Sequence, residues 1–518
     1  MSKVHRGFLA DCEKEELQYS GSIQSYGALL ILSKEFDLLH FSENFEDLTG
    51  LNPQTFAKQV ADGTILALLS SASHNTNTRA ESHNSISNNF ASGNPGARLE
   101  LEEGFESDRG VFDLIITRGV ENQWLIEFFE HNVDFSSWIS PPDFSGVYDL
   151  SNLQSLREKL VYWIAEVTGF DRVMYYQFLE DGDGEVVAEV TKGQSIGSYL
   201  GLRFPASDIP LIARQLYLKN PWRVIQDAQA EVAKLLGDST ADLTWSDLRS
   251  VSPIHVVYMQ NMGDRSSLSY PISAGQELDA LISCHSQHPL HLPLKRLRGI
   301  KEVVDEFNML LRNIKTTNRV RLVDEIAYNT HQILKSIDMM DDHVLQWQTF
   351  SEWLLEEFES DAVVWSHNQT LYTAGIPFEK QLIGDLNSWF AQHCHDLVFY
   401  KNHIKDLISD DLLTHIAGAA GLRISMQDKS TGHIFLLRTE QVDEVVWGGN
   451  PNKPVEHHDG ILGIAPRQSF GKWVEKRIGF SRPWDNATRL RLLRLRDELQ
   501  RSSLKNTGWL SVARSLNE

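Results

Sequence analysis

An aspartate held between two prolines is the first feature with chemical consequences. In Phe204-Pro-Ala-Ser-Asp-Ile-Pro210, Pro205 and Pro210 pin the backbone around Asp208, because proline fixes its own φ and restrains the residue before it. Asp208 then stands at the mouth of a short helix carried by Ile212, Leu216 and Leu218 and ended by Asn220-Pro221. Two readings are open: a helix N-cap, the ordinary use of aspartate there, or a carboxylate and carbonyls turned into a pocket. Cys12 lies on a polar N-terminal arm, accessible enough for a reactive thiol, yet among acids that raise a thiol's pKa. Asp208, His255, His285 and Cys284 supply the residue types of an acid–base or nucleophilic set. No spacing among them makes a motif, and Cys284 sits in a strand as core cysteines do. His393-Cys394-His395 offers metal-binding types, but adjacent helical residues point in different directions and no further ligand cluster accompanies them. Ordinary helix residues are expected there.

Composition narrows the classes. With 518 residues, 42% hydrophobic and 23% charged, the chain fits a soluble protein of about three or four domains. A net charge of -22 argues against non-specific nucleic-acid binding and against an anionic membrane surface. No apolar run approaches a membrane span, and the first residues lack the apolar core of a signal peptide. Three cysteines (Cys12, Cys284, Cys394) make no disulfide framework and suit a reducing cytoplasm.

The elements that must position these residues follow from periodicity. Strands are expected at 27–32, 38–41, 111–117 and 124–129, short helices within 43–60, and a flexible polar insertion at 70–96. An amphipathic helix over 150–170 precedes strands at 172–178 and 185–190, and a largely helical piece is expected from 224 to 248. Strands return at 267–272 and 278–285. From Leu294 the apolar spacing runs helically past the polar patch 315–318, with no proline between Pro293 and Pro377, which predicts one long helix with a stripe for a partner helix. Another α+β unit follows, with helices at 349–358, 379–395 and 401–408 and strands at 362–365, 422–426 and 434–439. Turn residues from Trp447 to Gly460 open an irregular arm that returns through Pro466-Arg-Gln-Ser-Phe470, read from sequence as a surface hairpin or a flap, with the hairpin favoured. A last helix runs from Thr488 to about Gly508. The fold class is α+β, in consecutive units.

These parts in this order resemble a bacteriophytochrome photosensory module of PAS, GAF and PHY domains. The resemblance rests on Cys12 with Gly21-Ser-Ile-Gln24, on Phe204 to Pro210, and on Tyr217 with Asn220-Pro-Trp-Arg223. It continues through Arg249, Ser252-Pro-Ile-His255, Tyr258, Asn261-Met-Gly263, Ser267, Ser269 and Cys284-His285, and ends in 466–470 and Trp473-Val-Glu475. It implies an arm at 1–26, a PAS domain at 27–135, a GAF domain at 136–315, a PHY domain at 316–485 with a tongue about 446–484, and an output helix at 486–518, with a knotted PAS–GAF N-terminus.

The resemblance further implies biliverdin IXα in the GAF domain, joined by a thioether to Cys12. Asp208 would offer its carbonyl to pyrrole N–H groups, and His255 would sit by rings B and C. Arg223 and Arg249 would pair with one propionate, and Ser252, Ser267 and Ser269 with the other. Tyr176, Phe204, Ile209 and Tyr258 would wall in ring D, His285 would reach its carbonyl, and Pro210 and Tyr217 belong to the same pocket. Arg467 and Ser469 would be alternative partners of Asp208 on the tongue, which also carries Trp473 and Glu475. Ile254 stands where many relatives attach the bilin through cysteine, which favours Cys12. The arm departs from the family at Leu17-Gln-Tyr-Ser20 and Ser25-Tyr26, and Ser286 stands where a second histidine is frequent. The implied activity is red/far-red sensing without enzymatic chemistry, in a cytoplasmic parallel homodimer with a fused kinase or cyclase output. The competing reading is a light-independent GAF-type regulator that binds a small ligand.

Overall fold

The computed structural model describes residues 15–63, 94–132, 138–146, 149–193, 197–273, 275, 277–368, 370–393, 397–408, 414–426, 429–451 and 469–503. Its contacts divide into two compact units, Met1–Asn313 with Val446–Trp473, and Ile314–Val445 with Val474–Glu518.

The first unit contains two antiparallel sheets. In the first, the strands lie in the order Ser22–Gln24, Val232–Gly237, Leu38–Ser42, Gly27–Leu32, Trp124–Glu130, Gly110–Arg118 and Arg98–Ser107. Gly27–Leu32 is buried at every position, so it needs apolar cover on both faces. Ala28 and Leu30 pack with Phe45, Phe56 and Phe128 on one side. Leu29 and Ile31 pack with Ala233, Leu243 and Leu248 on the other. Those last three come from much later in the chain. The expected helical piece at 224–248 is therefore corrected: among its described residues lie a strand and turns, because Val232–Gly237 is recruited between Ser22–Gln24 and Leu38–Ser42. Its helix-favouring composition, AEVAKLL, yields to tertiary pairing.

The second sheet runs Arg223–Ile225, Ser266–Ser273, Leu278–Ser286, Arg172–Phe178, Gly184–Thr191 and Arg203–Phe204, with Trp447 adding a parallel bridge to Arg203. One face packs on the helix Leu153–Thr168 and on the early turns of Leu294–Asp338, through Leu160, Ile164, Tyr175, Tyr270, Cys284 and Phe307. The opposite face looks onto the helices Leu211–Tyr217 and Pro253–Met262 and holds the site. Alternation along each strand separates the two faces.

Leu294–Asp338 is one uninterrupted helix of 45 residues, as its proline-free pattern predicts. In the second unit, a five-stranded antiparallel sheet (Thr370–Gly375, Ala362–His367, Thr431–Thr439, Ile416–Ser425, Val398–Lys401) is packed by His343–Glu357, Lys380–His393 and Asn486–Ser503. The helix expected at 401–408 is instead the end of a strand and a 3-10 turn, Lys405–Leu407, because Val398–Lys401 pairs with Ile416–Ser425. No described helix is long and apolar enough to cross a membrane.

Candidate functional site

The 205–210 loop is built by residues around it. Ala206–Asp208 forms one 3-10 turn, and the helix Leu211–Tyr217 starts only after Pro210, whose side chain cannot cap it. Asp208 is thus not an N-cap. Its carboxylate instead accepts a 2.9 Å hydrogen bond from the Tyr258 hydroxyl. Arg214, one turn on, reaches back and donates to the Ile209 carbonyl (2.8 Å) and the Gly182 carbonyl (2.6 Å) while lying over the Phe178 ring. Asp183 accepts from the Ala206 amide at 3.0 Å. Asp183 and Arg214 therefore fix the loop from behind.

The loop forms one wall of a cavity between the sheet and the helix Pro253–Met262. Tyr176, Phe204, Asp208, Ile209, Pro210, Tyr217 and Tyr258 all line it, as do Arg223, Arg249, Ser252, His255, Ser267, Ser269 and His285. Each residue expected of the GAF pocket is brought to this one space. Tyr176 is seated closely: a Cβ on Gly184 would meet its ring at 2.1 Å, so the position admits only glycine without a shift. His255 stacks on Tyr258 with ring centroids 5.9 Å apart. Burial holds the His255 imidazole down to about 4, helped by the neighbouring His285 and Arg223, so the ring is neutral. Tyr217 donates to Ser269 over a long 3.5 Å.

Two polar groups on the wall have no partner among the described residues. Ser252 occupies the N-cap position of Pro253–Met262 yet makes no cap bond, and its buried hydroxyl faces no acceptor. Arg249 is 8% exposed, its Nη1 lacks any hydrogen-bond partner, and no ion pair reaches it among the described residues. Burial, with Arg223 close by, lowers its pKa to about 9. Buried donors and cations without partners are costly and rare. A ligand with one carboxylate near Arg249 and another near Ser252 would satisfy both. The two propionates of a bilin fit this donor set.

Arg249 is placed from the first sheet. Glu127, fully buried on Trp124–Glu130, accepts from the Ser246 hydroxyl (2.6 Å) and from the amides of Leu248 (2.9 Å) and Asp247 (3.2 Å). Asp247 takes both Arg98 nitrogens at 2.8 and 2.7 Å and the Trp222 indole at 2.8 Å. Arg223 donates to the carbonyls of Asp247, Arg249 and Ser250. The arm runs alongside: Gln24 donates to the Leu248 carbonyl and Ser250 to the Ser22 carbonyl. Glu15 and Leu17 line the cavity itself. Cys12 lies outside the described residues, three positions before Glu15, within about 10 Å of extended chain.

Residues on either side of 452–468 also reach the site. Phe470 packs edge-on against Tyr258 at 5.0 Å and joins Met174, Tyr176 and Phe204 in one apolar cluster. Gly448 lies so close that a Cβ would meet the Phe204 ring at 2.6 Å, and Gly449 donates to Gly471 at 2.8 Å. Asp443–Gly448 and Lys472–Arg477 are paired neighbours in the sheet, the stem that the hairpin reading expects, and the ends of the excursion lie against the site, while 452–468 lie outside the described residues. Ser469 is exposed, Trp473 and Glu475 are half-buried on Lys472–Arg477, and Arg467 lies outside the described residues.

Comparison with known proteins adds the family. The family models "PAS fold", "GAF domain" and "Phytochrome region" match residues 12–128, 152–309 and 328–507. Cyanobacterial phytochrome B of Nostoc sp. is 31% identical over 503 residues, covering 92% of this chain and 64% of that protein. The chain belongs to the phytochrome family. A bacteriophytochrome of Pseudomonas aeruginosa is 28% identical over 517 residues, covering 93% of this chain and 65% of its own length. The chain thus spans under two thirds of these phytochromes, and what it matches is their photosensory core. The crystal structure of a bacteriophytochrome from R. palustris superposes with a TM-score of 0.75 at 24% identity, over 96% of this chain and 100% of that one. The Stigmatella aurantiaca phytochrome photosensory core module gives 0.73 at 24%, over 96% and 98%. These two likenesses speak to the fold.

In this phytochrome core, the reactive set imagined from Asp208, His255, His285 and Cys284 comes apart. Cys284 points to the opposite face of the sheet, 0% exposed, and burial drives its thiol far up from the ordinary range. His393 ends its helix stacked on Trp389, and Cys394 and His395 lie outside the described residues. Sequence reasoning missed Glu127, Asp183, Arg214, Ser283 and Asp264. Glu127 had a legible signal, a lone carboxylate within the apolar run WLIEFF.

Proposed function

We propose that this chain is the sensory part of a red/far-red photoreceptor that holds biliverdin IXα in the cavity, with a thioether to Cys12. The observation that carries the reading is that two buried polar groups on the cavity wall, Arg249 Nη1 and the Ser252 hydroxyl, lack partners among the described residues. When bound, biliverdin supplies light absorption and isomerisation at C15=C16. Arg249 and Arg223 hold one propionate and Ser252, Ser267 and Ser269 the other, which fixes orientation by charge-assisted bonds. The Asp208 carbonyl accepts pyrrole N–H groups, and the neutral His255 keeps polar company at the inner rings. Tyr176, Phe204, Ile209 and Tyr258, closed by Phe470, exclude water around ring D. The arm's approach through Glu15 and Leu17 supports Cys12 as the attachment point and a knotted path.

The tongue is the bistable element. Asp208, bonded here to Tyr258, exchanges partners between Arg467 and Ser469 as the tongue passes between hairpin and helix. The 45-residue helix and Asn486–Ser503 carry that change to an output domain, a kinase or cyclase, in a cytoplasmic parallel homodimer. The chain itself acts as a sensor and not as an enzyme.

The test is the absorption spectrum of apoprotein with biliverdin, before and after red light, beside Cys12→Ala. A red band that converts to far-red, with a denaturation-resistant adduct in the wild type alone, is the expected result. Absence of binding would return the small-ligand regulator as the better reading. Binding without photoconversion would keep the pocket and reject the switch.

A further inference from the structure

Behind the cavity wall lies a carboxylate that the proposed function does not use. The helix Pro253–Met262 ends at Gly263, whose φ of 83° favours glycine. Gly263 donates to the Gln260 carbonyl and the next amide, of Asp264, to the Met259 carbonyl, which closes the helix end. This turn delivers Asp264, 5% exposed, to the start of Ser266–Ser273, where Ser267 is the register partner of His285. The Asp264 Oδ2 lies 2.8 Å from His285 Nδ1, and the Ser283 Oγ lies 2.9 Å from His285 Nε2. His285 and Ser283 line the cavity and Asp264 does not. The two imidazole nitrogens therefore have different surroundings, a carboxylate behind the wall and a hydroxyl at the cavity.

We propose that Asp264 is a positioning residue for His285, accepting its Nδ1–H and so committing Nε2 to the cavity as the atom that meets the ligand. An ionised carboxylate only accepts, so Nδ1 must carry the proton. In the neutral ring Nε2 is then an acceptor, filled by the Ser283 hydroxyl. A ligand carbonyl can take a hydrogen bond from His285 only when both nitrogens are protonated, and Asp264 supplies the balancing charge for that form. The carboxylate that orients a histidine thus also decides what the histidine can offer. The assignment to a bilin carbonyl rests on the proposed function; the Asp264–His285 pairing does not.

The test is ¹⁵N NMR of the histidine-labelled chain, free and with biliverdin, with His285 assigned by its loss in His285→Gln. In the free wild type, Nδ1 is expected to be protonated. Asp264→Asn moves the proton to Nε2, since the amide can donate to Nδ1, whereas Asp264→Glu and Ser283→Ala leave it on Nδ1. With biliverdin, Asp264→Asn shifts the long-wavelength absorption maximum and Asp264→Glu brings it back. An unprotonated Nδ1 in the wild type would overturn the proposal, as would a folded Asp264→Asn chain that keeps the Nδ1 proton. If the wild type failed to take up biliverdin, the photoreceptor reading would fall while the NMR result on the free chain still decided the role of Asp264.

Discussion

Two antiparallel sheets in this molecule use their faces differently. In the second unit, neighbours along a strand alternate between two filled apolar cores: Val363 and Trp365 face one, Ala362 and Val364 the other. In the sheet that bears the site, Tyr175, Tyr270, Ile282 and Cys284 fill one core. Their neighbours Tyr176, Ser269, Ser283 and His285 face the cavity. Both sheets obey the same twofold alternation. What separates a structural sheet from a binding one is the chemistry of every second residue. Hydroxyls and an imidazole placed there line a cavity with polar atoms that a ligand can meet.

Breaking the filled sheet should have the largest effect on stability. Trp365→Ala removes a nearly fully buried side chain and is expected to cost about 3–5 kcal/mol, read as a lower urea midpoint. Trp365→Phe should cost much less, because the buried indole N–H has no acceptor to lose among the described residues. On the binding face the sign is reversed. Arg249→Leu removes a buried cation that no ion pair satisfies among the described residues, so the free chain should gain stability. Biliverdin affinity should meanwhile fall by about 10- to 100-fold, the value of a charged hydrogen bond of roughly 1.5–3 kcal/mol, measured by titration. A loss in both would mean that Arg249 is structural.

A third experiment separates the groups by pH. With His255 held at about 4 in the fold, the unfolded chain binds an extra proton between there and its ordinary value, about 6.5. Stability from His255 is therefore present above 6.5 and lost as pH falls to 4, by about 3 kcal/mol in all. His255→Gln should flatten that slope. Glu127 acts oppositely. Burial, reinforced by Asp247, raises it to about 7, so its contribution is present below about 4.5 and lost as pH rises through 7. Glu127→Gln should remove that decline, as unfolding midpoints between about pH 5 and 7.5 would show. The smallest effect is expected for Tyr258→Phe, which loses one bond to Asp208, about 1 kcal/mol.

The wall of the site was legible in the sequence because its residues are contiguous with strong local signals, such as the two prolines around Asp208 and the run Ser252-Pro-Ile-His255. The supports were not. Arg214 looks like any helical arginine, and Asp264 like any residue after a helix-ending glycine, until the strands bring Gly182 and His285 beside them. The helical misreading of 232–237 has the same origin: local composition favoured helix, while a long-range gap between two strands required a third. The resemblance put 466–470 at the site, but the role of Phe470 was not legible, because its contact with Tyr258 exists only in the fold.

The placement of Val232–Gly237 bears on how the chain can be divided. The segment Ser22–Gln24 pairs with this late strand and not with its own neighbours in sequence, and the late strand in turn pairs with Leu38–Ser42. A protease that cuts within 138–146 would nick the molecule without parting it. The two fragments would migrate together under native conditions and separate only in denaturant. Expressed apart, residues 15–132 would lack a strand from the middle of their sheet, and residues 149–313 would carry that strand with nothing to pair it. Neither half is a complete folding unit, so the Arg249 loop takes shape only when both are present.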